Sequence, residues 1–199
     1  MSQPHRAYHN LHHVESILEH AFYSQLRYTE PSEEFDVGSP WRIVCYAALM
    51  HNYVYDVTRH DNAAKSAQYA SILASGTNLT EAELRKSVEC IMAISTLNLE
   101  KYKDDFIVFA FLHGYLNVLF SYRPRYVYYS RCIRFEYSMY SAEEYRIRRT
   151  KFLEKIRTKI TPYLSRNEIV KLDRNIDNEL TMYLRHLEQF DRKIMCDIT

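Results

Sequence analysis

Glycine fills only 3 of the 199 positions, while apolar residues step by three and four along nearly the whole chain. Average usage of about 7% would supply roughly fourteen glycines. With only 5 prolines as well, the chain lacks material for the tight turns of sandwiches, barrels and phosphate-cradling loops. Helix is what remains. Leu11, Val14, Ile17, Leu18, Ala21, Phe22 and Leu26 make one apolar stripe of a helix running to about Tyr28. A loop is expected over 29–40, then a helix over 41–55 that is apolar on most faces and therefore buried. Asp61 or Asn62 caps the next helix, and Gly76 closes it as a left-handed cap.

Capping boxes open three more helices, at Thr80-Glu81-Ala82-Glu83, Ser141-Ala142-Glu143-Glu144 and Ser165-Arg166-Asn167-Glu168. The first of these carries Leu84, Val88, Ile91, Met92 and Ser95. Asp104-Asp105 open an apolar helix over 106–120. Tyr126, Tyr129, Ile133, Tyr137 and Tyr140 read as strand by propensity, but their stepping decides for helix. The last helix, 167–193, carries Leu172, Ile176, Leu180, Tyr183, Leu184 and Leu187 on one stripe, suited to packing on the domain or to a homodimer contact. The expectation is one all-α domain of about eight helices over 1–165, with a helical extension over 166–199 packed on it.

Charge and cysteine usage exclude several classes. Lys plus Arg number 26 against 25 for Asp plus Glu, so no basic field favours duplex nucleic acid or an acidic membrane. No apolar run approaches 18 residues, which excludes an ordinary membrane-spanning helix. The first thirteen residues carry histidines instead of an apolar signal core. Cys45, Cys90, Cys132 and Cys196 are widely spaced with no C-x-x-C pair, which reads as free thiols in a cytoplasmic protein.

Histidine is unevenly placed: five of the nine precede residue 21. His9 and His13 are one helical turn apart, so both face the same way and can share a metal ion or a phosphate, or merely form a solvated helix start. His51, deep in an apolar helix, is a satisfied core residue or a ligand; spacing alone does not choose.

Several segments, in order, resemble the predicted metal-dependent phosphohydrolases of the HD superfamily. Pro4-His5-Arg6-Ala7-Tyr8-His9-Asn10-Leu11-His12-His13-Val14 is similar to their opening, and its Tyr-His-Asn-x-x-His core resembles the signature of the distantly related cyclic-nucleotide phosphodiesterases. Ala48-Leu49-Met50-His51-Asn52-Tyr53-Val54-Tyr55-Asp56 resembles the His-Asp box with its following Val-Tyr-Asp. Asp61-Asn62-Ala63-Ala64-Lys65-Ser66-Ala67 is similar to the Asp-Asn-Glu segment that comes next. Tyr129 with Ile133-Arg134-Phe135-Glu136-Tyr137 resembles a later helix, and Arg148-Arg149 with Phe152-Leu153 loosely resembles the last segment. The resemblance spans about residues 4 to 165.

The resemblance implies an all-α fold and divalent cations that acidify a water and neutralise phosphate oxygens. It makes His13 and His51 metal ligands and His9 the general acid, with Arg6, His9 and Arg134 contacting the ligand. Geometry must then bring His9, His13 and His51 together, with the His13 and His51 rings within about 8 Å, since zinc ligands sit about 2.1 Å from the metal.

The acidic positions depart from the family pattern. Asn52 stands for the aspartate of the His-Asp box, Tyr115 for the final ligating aspartate, and Ala63 for the glutamate of Asp-Asn-Glu. No histidine occurs in Ser95-Thr96-Leu97-Asn98-Leu99, where the family has one. An amide is a weak ligand for hard cations, which depend on anionic oxygens. The altered pocket should hold a divalent cation poorly and an anion better. Three readings stay open. A degenerate domain would bind a nucleotide or other phosphate-bearing small molecule, with no cofactor or a weakly bound divalent cation. An active enzyme would use Mn, Mg, Fe or Zn and recruit His113 or Asp56 as a ligand. A protein-interaction module would keep only a vestigial pocket.

Overall fold

Reciprocal hydrogen bonds fix three of the helix starts. The side chains of Thr80, Ser141 and Ser165 each accept from the backbone N–H three residues on, and Glu83, Glu144 and Glu168 bond back to the capping residue. The Asp105 carboxylate accepts from the Val108 N–H at 3.1 Å and opens another. Pro40 and Pro124 lie in first turns, where a missing N–H breaks no helical bond.

The structure, a computed structural model, describes residues 3, 5–24 and 38–189. Among them are eight α-helices and no strand: α1 Leu11–Ser24, α2 Ser39–Met50, α3 Asn62–Leu73, α4 Glu81–Ala93, α5 Phe106–Leu116, α6 Arg123–Glu136, α7 Ala142–Ile160 and α8 Arg166–Asn178. The architecture is all-α, as the periodicity implies. Among the described residues no single helix is long and apolar enough to cross a membrane. Cys45, Cys90 and Cys132 are free thiols. Pro4, Leu26, Tyr28, most of the expected loop 29–40, the end of the last helix and Cys196 lie outside the described residues.

Several expected boundaries are corrected. Helix α2 begins at Ser39, because Pro40 is tolerated in a first turn, and stops at Met50 instead of 55. The Tyr53 N–H then donates to the Met50 carbonyl, tightening the chain into a turn. Gly76 is not a left-handed cap, since no described glycine has a positive φ. Helix α3 runs on as a 3-10 turn, Ala74–Gly76, and ends where the Thr77 hydroxyl and N–H take the Ala74 carbonyl. Helix α4 stops at Ala93, short of Ser95, and the chain turns through Leu97 at φ 48°. The α-helical part of the 106–120 segment ends at Leu116 and tightens into a 3-10 turn, Asn117–Phe120. Tyr137 and Tyr140 lie beyond α6, whose end is held by Arg134. The C-terminal helix is broken after Asn178 by a π-helical turn, Glu179–Tyr183, in which the Leu184 N–H reaches the Glu179 carbonyl.

The chain divides into two compact units, one built on His9–Asn117 and the other on Gln3–Tyr8 with the chain from Val118 onward. In the first, α1 packs on α5 and α2, and α4 packs on α2, α3 and α5. Ile17, Ile43, Val44, Ile91, Phe111 and Leu112 are fully buried there. Helices α1 and α5 meet closely because Gly114 has no side chain: a Cβ there would lie 2.8 Å from the Ile17 carbonyl oxygen. Beside it the Asn117 amide donates to the Ser16 carbonyl at 3.1 Å. Arg42 on α2 donates to Glu83 on α4 through Nε at 2.9 Å and Nη2 at 2.6 Å. Burial opposes the Glu83 charge, but hydrogen bonds from Thr80, Ser39 and Arg42 hold its carboxyl below the usual range.

In the second unit α8 packs on α7 and α6. Leu153, Ile156, Ile160, Leu172 and Ile176 form its core. A buried ion pair joins α7 to the π-turn, with Arg149 Nε donating to Glu179 Oε1 at 2.8 Å.

A candidate histidine site

The start of α1 places two histidines. The Asn10 side-chain oxygen accepts from the His12 N–H at 3.0 Å and begins the helix. His13 then falls on the buried face one position before Val14, while His12 turns outward to Glu15 at 3.0 Å. His9 precedes the helix and is not on it, yet its ring lies edge to face with His13, centroids 5.5 Å apart. His51 follows α2 as its C-cap. Its ring centroid is 5.2 Å from that of His13. The first unit therefore brings His9, His13 and His51 into one cluster, with His13 and His51 buried and His9 half-buried.

Two of the three positions at which the sequence departs from the pattern it resembles, Tyr115 and Asn52, join the same cluster. The Tyr115 ring packs at 5.4 Å from His13 and 5.7 Å from His51. Helix α5 holds it there, carried close to α1 by Gly114. Asn52 is buried, and its amide nitrogen Nδ2 lies 2.7 Å from His51 Nε2. His51 Nδ1 is 2.8 Å from the Ala48 carbonyl, so Nδ1 carries the proton and donates. With the amide so placed, Nε2 is the acceptor from Asn52. Were the amide turned round, its oxygen would require a proton on Nε2. In either arrangement the Nε2 lone pair is not offered to a metal.

The expected substitute ligands have other partners. His113 Nδ1 is 2.8 Å from His20 Nε2, an imidazole–imidazole hydrogen bond between α5 and α1. Asp56 accepts from the Thr58 N–H at 2.8 Å and the Thr58 hydroxyl at 2.6 Å, closing a turn. Arg6 and Arg134 belong to the second unit. Arg6 is buried and its Nε donates to the Gln3 side-chain oxygen at 2.7 Å. Arg134 Nη1 donates to the Tyr137 and Tyr140 carbonyls at 3.0 and 3.1 Å, tying off the end of α6.

Two ring partners of these histidines, one beside His9 and one beside His113, carry little signal in the sequence. Tyr55 lies with its ring centroid 4.3 Å from that of His9, tilted by 31°. Its signal was its place three residues after Asn52. His20 was legible as the residue two turns beyond His13 on the same stripe of α1, but its partner was not. The cluster thus has a buried floor of His13, His51 and Asn52 and a partly exposed side of His9, Tyr55 and Tyr115. Among the described residues its side chains are amide, phenol and imidazole groups with no carboxylate, a set that does not fit a hard divalent cation. Comparison with protein-family models, with curated proteins and with solved structures gives no match to this chain.

Proposed function

We propose that this chain is a degenerate relative of the HD phosphohydrolases that binds a phosphate-bearing small molecule, a nucleotide, without efficient hydrolysis. The observation that carries this reading is the Asn52–His51 contact. An aspartate there would present only lone pairs, and a cation between it and the imidazole would satisfy both. An amide can instead close a hydrogen bond with the imidazole directly, and so does the work of the cation within the protein.

Tyr115 supports the same reading. Its ring packs against both buried imidazoles from the position where the family pattern has a ligating aspartate. The site has lost negative charge that a phosphate would otherwise meet as repulsion. His9 remains partly exposed as a hydrogen-bonding group for phosphate oxygens. Tyr55 beside it offers a ring face for a base, an interaction that contributes about 1–3 kcal/mol in single-stranded nucleic-acid binders.

The test combines metal content with calorimetry. The purified protein is expected to hold well under one equivalent of divalent metal and to bind a mono-, di-, tri- or cyclic nucleotide in EDTA. Stoichiometric metal with turnover of a phosphoester restores the enzyme. No binding of any nucleotide, with or without Mn2+, leaves a vestigial pocket in an interaction module.

A further inference from the structure

The second unit contains a cavity of about 240 Å³ between α6 and the α8–π-turn segment. Each side supplies residues at spacings of three and four. Arg123, Tyr126, Val127, Ser130 and Arg131 line it from α6; Asn175, Asn178, Glu179, Met182 and Tyr183 line it from the other side. Tyr126, Ser130, Asn175 and Glu179 are buried and form the floor. Met182, 60% exposed, marks the mouth together with the exposed Arg123 and Arg131.

The charges of this cavity do not balance. Glu179 is answered from within the protein: Arg149 donates to it through Nε at 2.8 Å and Nη2 at 3.2 Å, and the Tyr126 hydroxyl donates to it at 2.5 Å. Burial, and then the neighbouring Glu179, push the Tyr126 hydroxyl pKa well up, so it stays a donor. Arg123 and Arg131 have no such answer. Among the described residues neither guanidinium has a hydrogen-bond or ion-pair partner. Two positive forks therefore flank an opening whose walls are the aromatic and aliphatic surfaces of Tyr126, Val127, Met182 and Tyr183. The π-turn that forms one wall is of a kind that occurs often at functional sites.

From this arrangement we infer that the cavity is a binding site for a small organic anion, with a ring-sized apolar body and one carboxylate or phosphate group. An apolar cavity of about 150 Å³ accepts benzene, so this one accepts a ring with a short acidic arm. The apolar body lies against Val127, Tyr126 and Met182, and the acid meets Arg123 and Arg131, whose planar forks match either oxyanion. The site is separate in residues from the histidine cluster and stands or falls without it.

The test titrates the full-length protein with phenylacetate, phenyl phosphate and the neutral benzyl alcohol while amide NMR signals are followed. Saturable shifts are expected at residues 126–131 and 175–183 for at least one of the two anions. Whichever binds identifies the acid the site prefers. Arg123→Ala with Arg131→Ala, both at exposed positions, should weaken that anion about tenfold or more, as loss of charge-assisted hydrogen bonds does. Met182→Trp should block the mouth and abolish the shifts. The proposal is overturned if neither anion shifts these residues in the millimolar range. Benzyl alcohol binding as tightly as the anions, or arginine variants binding unchanged, overturns it equally.

Discussion

The amide of Asn52 meets the imidazole of His51 at 2.7 Å and takes the ring nitrogen that a metal would need. The other ring nitrogen is tied to the Ala48 carbonyl. A side chain with one oxygen replaced by nitrogen thus converts a potential ligand pair into a closed hydrogen bond. The imidazole is held through both of its ring nitrogens, by its own helix and by its next neighbour.

Asn52→Asp should reopen the pair. A carboxylate cannot donate to Nε2, so a cation or a proton must lie between the two groups. Zinc affinity measured by calorimetry is expected to rise by about tenfold or more, the scale on which outer-shell partners act on metal sites. Adding Tyr115→Asp should raise it further, at a folding cost of about 1–3 kcal/mol for a half-buried ring. Unchanged zinc affinity in a variant whose circular dichroism is native would sink the argument.

Acid sensitivity should be traceable in part to Glu83. Its carboxyl is held below the ordinary value of 4.5 in the folded chain. The unfolded chain therefore takes up the proton first as pH falls. The stability this provides is fully present above the ordinary value and disappears as pH drops through the folded one. Glu83→Gln is expected to lose about 1–3 kcal/mol at neutral pH, less than a wholly buried pair because Arg42 is partly exposed. Urea midpoints of wild type and variant should converge between about pH 5 and pH 3. A constant gap across that range would assign the loss to packing instead.

Local signals were legible where the physics is local. Thr80, Ser141 and Ser165 cap the helices they were expected to cap because the partner glutamate is three residues away in the same turn. The His9–His13 spacing indicated neighbouring rings, although His9 reaches its neighbour from outside the helix. What depended on distant residues was not legible. Periodicity shows that α5 is apolar, but not that Gly114 lets it approach the Ile17 carbonyl and so carries Tyr115 to His13. The spacing of histidines gives no hint that His113 bonds His20. Likewise an apolar stripe through Leu172, Ile176 and Leu180 reads as unbroken helix. The π-turn at Glu179 goes with a carboxylate whose partner, Arg149, lies on another helix.

That partnership carries the last prediction. Arg149 and Glu179 are both buried, their side chains 6% and 1% exposed. Arg149 also donates to the Tyr129 hydroxyl at 3.1 Å, and Tyr126 to Glu179, so the pair is fully hydrogen-bonded. Removing one member leaves the other charged and buried. Arg149→Met should therefore cost about 3–5 kcal/mol at neutral pH, and Arg149→Met with Glu179→Leu distinctly less, since no unanswered charge remains. The double variant still leaves the Tyr126 hydroxyl without its acceptor, which retains about 1–3 kcal/mol of the loss. Urea unfolding of the two variants at neutral pH reads both losses. Equal losses for single and double variants would mean that the side chains matter through their shape and not their charge.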